Sequence, residues 1–323
     1  MTAYDLIDID VCPRTIETPV GVWPFVGSTR EASWFRSIAE AVSHTKKGAE
    51  LVRRAAAEGC RLSFFNLGST TLGAIAEANS HILIDPDLSL PTMARILVHE
   101  CAHNEQFRLG LSSMRENMTL SDALLEDRIR EAAAFTLSLE AAWEMGKNNP
   151  GTWAITHAAT PLLSLNMDWH LALSDNEGNR NRARAAMFMA FFSDRLSEGY
   201  EGRMIAKIEE MPAEKLRGMI EAKPRNRDDY KHILENHGFR HLRQHLPDLD
   251  WNAPFWCGLY KPNRDRLAKA IAEKCPDLAK DAVLPPVSHR ISRKLAPIYG
   301  FVVATQYVCG LVPELTPLIK RFY

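Results

Sequence analysis

Apolar and polar residues change period several times along the chain, and each change predicts an element. From residue 31 to 59 apolar positions recur at three- and four-residue intervals, the spacing of a helix that buries one face. Gly59 closes that stretch, which reads as one long helix or two. Arg61-Leu62-Ser63-Phe64-Phe65-Asn66 reads as a short strand. Thr71 to Ala76 and His81 to Ile84 read as two more, joined through Glu77-Ala78-Asn79-Ser80 as a hairpin. Helical spacing returns at Ser89-Leu90-Pro91-Thr92, a polar cap followed by proline in the first turn. Met93, Ile96, Leu97, Cys101, Phe107 and Leu109 give this helix an apolar face, and Gly110 ends it. Another helix opens at Ser121, which can cap it, with Asp122 favourable in its first turn.

Asn148-Asn149-Pro150-Gly151 is a turn that ends this group of elements. Residues 152–174 and 180–222 read as helices around the loop Ser174-Asp175-Asn176-Glu177-Gly178-Asn179, and Lys223-Pro224-Arg225-Asn226 marks a further boundary. Helical patches then alternate with proline-bearing loops, without repeats or low-complexity tracts. The pattern predicts an α+β chain, mostly α. Residues 1–150 form a core with a small mixed sheet, and residues 151–323 form a helical region, either separate from that core or continuous with it.

Composition narrows the class. With 323 residues and 46% hydrophobic content the chain can bury a large core or two domains. A net charge of −1 gives no electrostatic case for nucleic acid. The most apolar segment, Phe301 to Val312, is too short to span a bilayer, carries Gln306 and ends at Pro313, so no membrane segment is expected. The acidic start Met1-Thr2-Ala3-Tyr4-Asp5 lacks the basic and apolar regions of a signal peptide. Cys12, Cys60, Cys101, Cys257, Cys275 and Cys309 are scattered with no Cys-x-x-Cys pair, which suits reduced thiols. A cytoplasmic protein is expected, although signal-free export fits the same residues. Nothing in the chain indicates an oligomeric state.

The chemistry concentrates in Val98-His99-Glu100-Cys101-Ala102-His103. Residues four apart share a helix face, so His99 and His103 can reach one ion. Zinc accepts imidazole nitrogen, and a catalytic zinc keeps three protein ligands and an open position for water. Glu100 can stand beside that water as general base. The plainer alternative is a pair of core histidines satisfied by hydrogen bonds. Cys101 is turned some 200° from His99 by the 3.6-residue period and reads as core packing.

A third ligand is needed. An extended motif with glycine at 106 and histidine at 109 is excluded, because Gln106 and Leu109 stand there. The helix after Ser121 offers Glu126 and Glu131, about 140° apart around its axis, so one ion cannot easily take both. Glu131 is favoured. Ala132, Ala133 and Ala134 follow it and allow close approach to the first helix, whereas Glu126-Asp127-Arg128 reads as a solvated charged face. His-Glu-x-x-His at 99–103, Gln106, and Glu-x-x-Ala at 131–134 resemble zincin-type metallopeptidases of the glutamate-ligand branch, nearest to a bacterial metallopeptidase family of unknown substrate. The likeness covers roughly residues 45–150 and departs from the thermolysin-like pattern in one respect. An aspartate that would orient a histidine is replaced by Phe135, or by Arg130 if Glu126 were the ligand.

The resemblance implies a zincin-like core, a Zn2+ cofactor, the ligand set His99, His103 and Glu131, and hydrolysis of a peptide or protein substrate with Glu100 as base. It also implies a sheet edge that pairs with extended substrate, and Thr71 to Ala76 is the candidate. An oxyanion donor is required as well. Tyr200, Tyr230, His157 and His170 are chemically able, and spacing chooses none of them. His237, His241 and His245, with His232 nearby, tempt a second metal reading. Gly238, Arg240 and Arg243 make a solvated basic helix the better one. Two other functions fit the same residues: a non-catalytic scaffold that keeps the fold, against which the intact Glu100 argues, and zinc hydrolysis of a non-peptide amide.

Overall fold

A computed structural model describes residues 14–68, 71–76, 80–111, 118–148, 179–193, 195–225 and 258–280. The chain opens with a hairpin of β1 (Arg14–Thr18) and β2 (Gly21–Val26), in register from Arg14 opposite Phe25 to Thr18 opposite Gly21. Gly21 takes φ +122°, a backbone state that side-chain-bearing residues rarely adopt. No strand is expected there from the sequence pattern above, and Pro24 argues against an interior strand because it lacks a ladder donor. The structure accommodates it: β2 pairs with β3 only at Phe25 and Val26, beyond the proline.

The long apolar stretch resolves into two helices. In α1 (Thr29–Ser43), Ser28 and Glu31 form a reciprocal capping box. Helix α2 (Lys47–Ala57) starts where the Thr45 hydroxyl accepts from the Ala49 N–H, 3.0 Å away, and the chain leaves it through Gly59 at φ +74°. Then come β3 (Arg61–Phe64), β4 (Gly73–Ala76) and β5 (His81–Ile84). The sheet order is β1-β2-β3-β5-β4, parallel at β2–β3 and β3–β5 and antiparallel at both margins. Strand β4 is an edge, paired to β5 alone among the described residues.

Helix α3 (Leu90–Arg108) begins as its sequence implies: Ser89 accepts from the Thr92 N–H, Pro91 lies in the first turn, and Gly110 follows the end at φ +78°. Helix α4 (Leu120–Asn148) is capped by Thr119 rather than Ser121. The Asp122 N–H donates to Thr119 Oγ1 at 3.0 Å, and the threonine hydroxyl donates to the Asp122 carboxylate at 2.7 Å. Helices α5 (Arg180–Ser193), α6 (Arg195–Glu210), α7 (Ala213–Glu221) and α8 (Lys261–Lys274) complete the set, followed by a short 3-10 turn at Pro276–Leu278. The fold is α+β and mostly helical, with one small mixed sheet among the described residues. Residues 152–174, the histidines at 232–245 and the apolar segment 301–312 lie outside the described residues.

Two apolar cores form. The larger joins the sheet to α1–α5 and includes Trp23, Phe25, Phe35, Leu97, Ile129, Phe188 and Phe191. The smaller joins the first turns of α4, through Leu120, Ala123 and Leu124, to α6, α7 and α8. Helix α4, with 29 residues, serves both. Ala132, Ala133 and Ala134 are wholly buried where α4 meets α3, so no bulky side chain holds those helices apart. No described helix is long and apolar enough to cross a membrane.

Candidate metal centre

His99 and His103 project one turn apart from the buried face of α3, and Glu131 meets them from α4. The two imidazole Nε2 atoms are 3.1 Å apart. Glu131 Oε2 lies 3.4 Å from His99 Nε2, and its Oε1 lies 3.5 Å from His103 Nε2. Donors bound to one tetrahedral zinc at about 2.0–2.1 Å sit roughly 3.3 Å apart, so nitrogen, nitrogen and oxygen are spaced and chosen as zinc would need them. This trio is the one group of ligand-type side chains that converges in this way among the described residues.

The histidines are held differently. His103 Nδ1 is 2.8 Å from Gln106 Oε1, and the Gln106 amide donates to the Arg130 carbonyl at 3.0 Å. The glutamine thus fixes the ring with Nδ1 protonated and Nε2 turned to the trio, tying α3 to α4 as it does so. His99 Nδ1 has no hydrogen-bond partner among the described residues. Its ring instead meets Phe135 edge-on, with centroids 4.6 Å apart at 65°. Phe135, and no carboxylate, is thus the neighbour against which the His99 ring is packed.

Electrostatics follow from burial and proximity. Burial lowers the His99 pKa to about 4, which keeps its imidazole neutral. Burial works in the same direction on His103, but the Glu131 carboxylate outweighs it and the net shift is upward. For Glu131, burial opposes ionisation and the two histidines overcome it, holding the carboxyl well below its ordinary value. Burial pushes Glu100 up to about 7.

These residues open onto a cleft of about 510 Å³. Strand β4 forms one wall with Gly73, Ala74, Ile75 and Ala76. Helix α6 contributes Tyr200, Arg203, Met204 and Lys207, and Asp127, Arg130 and Glu131 come from α4. Gly73 is where strand and helix nearly touch: a Cβ there would lie 2.2 Å from Ile96 Cγ2 and 3.1 Å from Glu100 Oε1. Tyr200 packs edge-on against Phe135, and burial followed by the nearby Glu131 charge raises its pKa well above the usual phenol range, so it stays a donor. Of the four oxyanion candidates, Tyr200 lines the cleft; Tyr230, His157 and His170 lie outside the described residues.

Arg95, one turn before His99, was not singled out by the sequence pattern. It is fully buried, and its guanidinium nitrogens have no hydrogen-bond partner among the described residues. Burial lowers its pKa to about 10, so it remains a cation within electrostatic reach of Tyr200 and Glu100.

One expectation is corrected. Glu126-Asp127-Arg128 is not a solvated face. Glu126 is 2% exposed and paired with Arg225 Nη1 at 2.9 Å, and Arg128 is paired with Glu201 at 2.9 Å, both side chains buried. The charges are inside because α6 and the segment after α7 cover this part of α4, and each is matched by a residue far along the chain. Glu126 therefore lies with Arg225, apart from the histidines.

A mostly helical fold with a small mixed sheet thus brings two histidines and a glutamate together beside a buried second glutamate, a group of side chains that could hold a metal ion. The chain belongs to the family described as "Putative metallopeptidase family (DUF6782)", whose model matches residues 21–216. Neither the curated proteins nor the solved structures include a match to it.

Proposed function

We propose that the chain is a zinc metallopeptidase with a zincin-like core, in which His99, His103 and Glu131 hold the metal and Glu100 is the general base. The observation that carries this reading is the 3.1–3.5 Å spacing of the two imidazole Nε2 atoms and the Glu131 carboxylate oxygens at the mouth of a cleft that Glu100 also lines. Zinc bound there would polarise a carbonyl and bring the pKa of water toward 7.

The protein's own residues would do the rest. Glu100, with a pKa near 7, is suited to take a proton from water and return it to the departing amine. The Tyr200 hydroxyl, kept protonated, donates to the carbonyl oxygen as charge builds on it. Strand β4, with its outer edge free of a partner strand, offers backbone groups to an extended peptide. Residues 1–150 then supply the metal ligands and base, and the region from 151 onward supplies the opposite wall through α6.

The test is metal analysis of purified protein together with cleavage of a broad peptide library. About one zinc per chain and measurable hydrolysis are expected. Glu100→Gln should keep its metal and lose hydrolysis by about two orders of magnitude or more. A protein that takes up no zinc, or a Glu100→Gln variant with full turnover, would overturn the reading.

A further inference from the structure

The two walls of the cleft differ in charge. Strand β4 offers only backbone and small apolar side chains, whereas α6 presents Arg203 and Lys207 on the face that also carries Tyr200 and Met204. Positions 200, 203, 204 and 207 follow the three- and four-residue spacing that lines up one helix face. Arg203 and Lys207 are both exposed, and neither makes a salt bridge or side-chain hydrogen bond among the described residues. Three other arginines are neutralised at short range: Arg128 by Glu201, Arg225 by Glu126, Arg184 by Glu140. The Arg203 guanidinium carbon sits 4.4 Å over the Tyr200 ring, which holds the cation next to the group aimed at the scissile carbonyl.

The other charges of the cleft offset these two only in part: Arg203 acts on Glu100 and Lys207 on Asp127 without an ion pair. Glu131 is turned to the histidines, Glu100 is buried at the back, and Asp127 has Arg130 3.9 Å away. Arg130, Arg203 and Lys207 face Glu100, Asp127 and Glu131, and a divalent metal held by the trio would make the cleft net positive.

We propose that the cleft recognises a carboxylate on its substrate, held by Arg203 with Lys207 beside it, so that the peptides it takes are acidic close to the cleaved bond. This rests on the peptidase reading above and names its substrate class. The carboxylate is supplied by an Asp or Glu side chain or by a free C-terminus. A guanidinium takes either with two parallel hydrogen bonds, and a neutral side chain of the same shape leaves both cations without a counter-charge.

The experiment uses the full zinc-loaded chain and two sets of matched peptides. In the first, both ends are blocked and one residue on either side of the bond is Glu, Gln or Lys. In the second, neutral peptides end in a free acid or an amide. Cleavage rates and equilibrium binding by fluorescence anisotropy are both measured. Acidic peptides should be favoured about 10- to 100-fold in both measurements, with Lys disfavoured. The advantage should shrink as salt rises. Arg203→Gln and Lys207→Gln together should bring the Glu-to-Gln ratio near unity, and Arg203→Lys should restore part of it. A preference in the first set alone assigns an acidic side chain, and in the second alone a C-terminal carboxylate. Hydrolysis with no acidic preference, or a preference that survives the double variant, overturns the inference and leaves the peptidase reading standing. Acidic preference in binding with no hydrolysis of any peptide does the reverse.

Discussion

Glu126 and Glu131 sit five residues apart on one helix, yet their surroundings differ completely. Glu131 faces two imidazoles, and Glu126 faces one arginine and is 2% exposed. On the proposed reading Glu131→Ala removes a metal ligand, so zinc content should collapse. Glu126→Ala should leave zinc in place but lower stability by about 1–3 kcal/mol, because Arg225 would keep a half-buried charge without its partner. Metal content and urea midpoints, measured on both variants, check this; zinc lost from Glu126→Ala and kept by Glu131→Ala would reverse the assignment. At this scale the sequence is readable where the physics is local. Helical spacing alone brings His99 and His103 to one face, and three alanines announce a close helix contact after Glu131. The burial of Glu126 is not readable, because it depends on an arginine 99 positions away. Tyr200 is likewise one of four equivalent candidates until α6 is folded against the cleft.

Among the elements, the contact between β4 and α3 is the most exacting. Gly73 has no room for a side chain: the nearest atoms belong to Ile96 and Glu100. Gly73→Ala must therefore shift the strand or disturb the base, while the three ligands are untouched. Turnover should fall by roughly ten- to hundredfold, the scale of an ångström-level misplacement, with zinc content unchanged. Parallel loss of zinc and activity would show that the strand instead supports the ligands. The strand β4 itself is legible as an apolar run before a hairpin. Strands β1 and β2 are harder to see, since Pro24 interrupts the pattern and its tolerance depends on where the β3 ladder begins.

At the scale of the whole molecule, two apolar cores lie among the described residues. Helices α3 and α4, which carry the proposed ligands, are packed by the same residues that bury the sheet, unlike small domains that fold only around zinc. Chelation should leave far-UV circular dichroism unchanged and lower the melting temperature only as mass action requires. Metal uptake should also release a proton. Burial keeps His99 neutral down to about pH 4, so that ring has none to give near neutrality. His103, raised by Glu131, holds its proton above the ordinary imidazole range and must yield it to the metal. Affinity should thus weaken as pH falls through the raised His103 value, and calorimetry in buffers of different ionisation heat should detect proton release on uptake. Unfolding on chelation, or uptake without proton release, would contradict this account.

The buried Arg128–Glu201 pair has a mechanical meaning. Arg128 is three residues from Glu131 on α4, and Glu201 is the neighbour of Tyr200 on α6. Glu201 also accepts from the Tyr260 N–H, and Arg128 donates to the Gly258 carbonyl, so the joint is braced from a third direction. The two helical walls are therefore stiff with respect to each other. The facing wall, β4, lies close against α3 at Gly73. With Tyr200 and Arg203 riding on the rigid side, the distance from the reacting carbonyl to the bound carboxylate is a fixed length. On the proposed reading, the cleft measures position as well as charge: it acts as a ruler, admitting an acidic group at one spacing from the bond and no other.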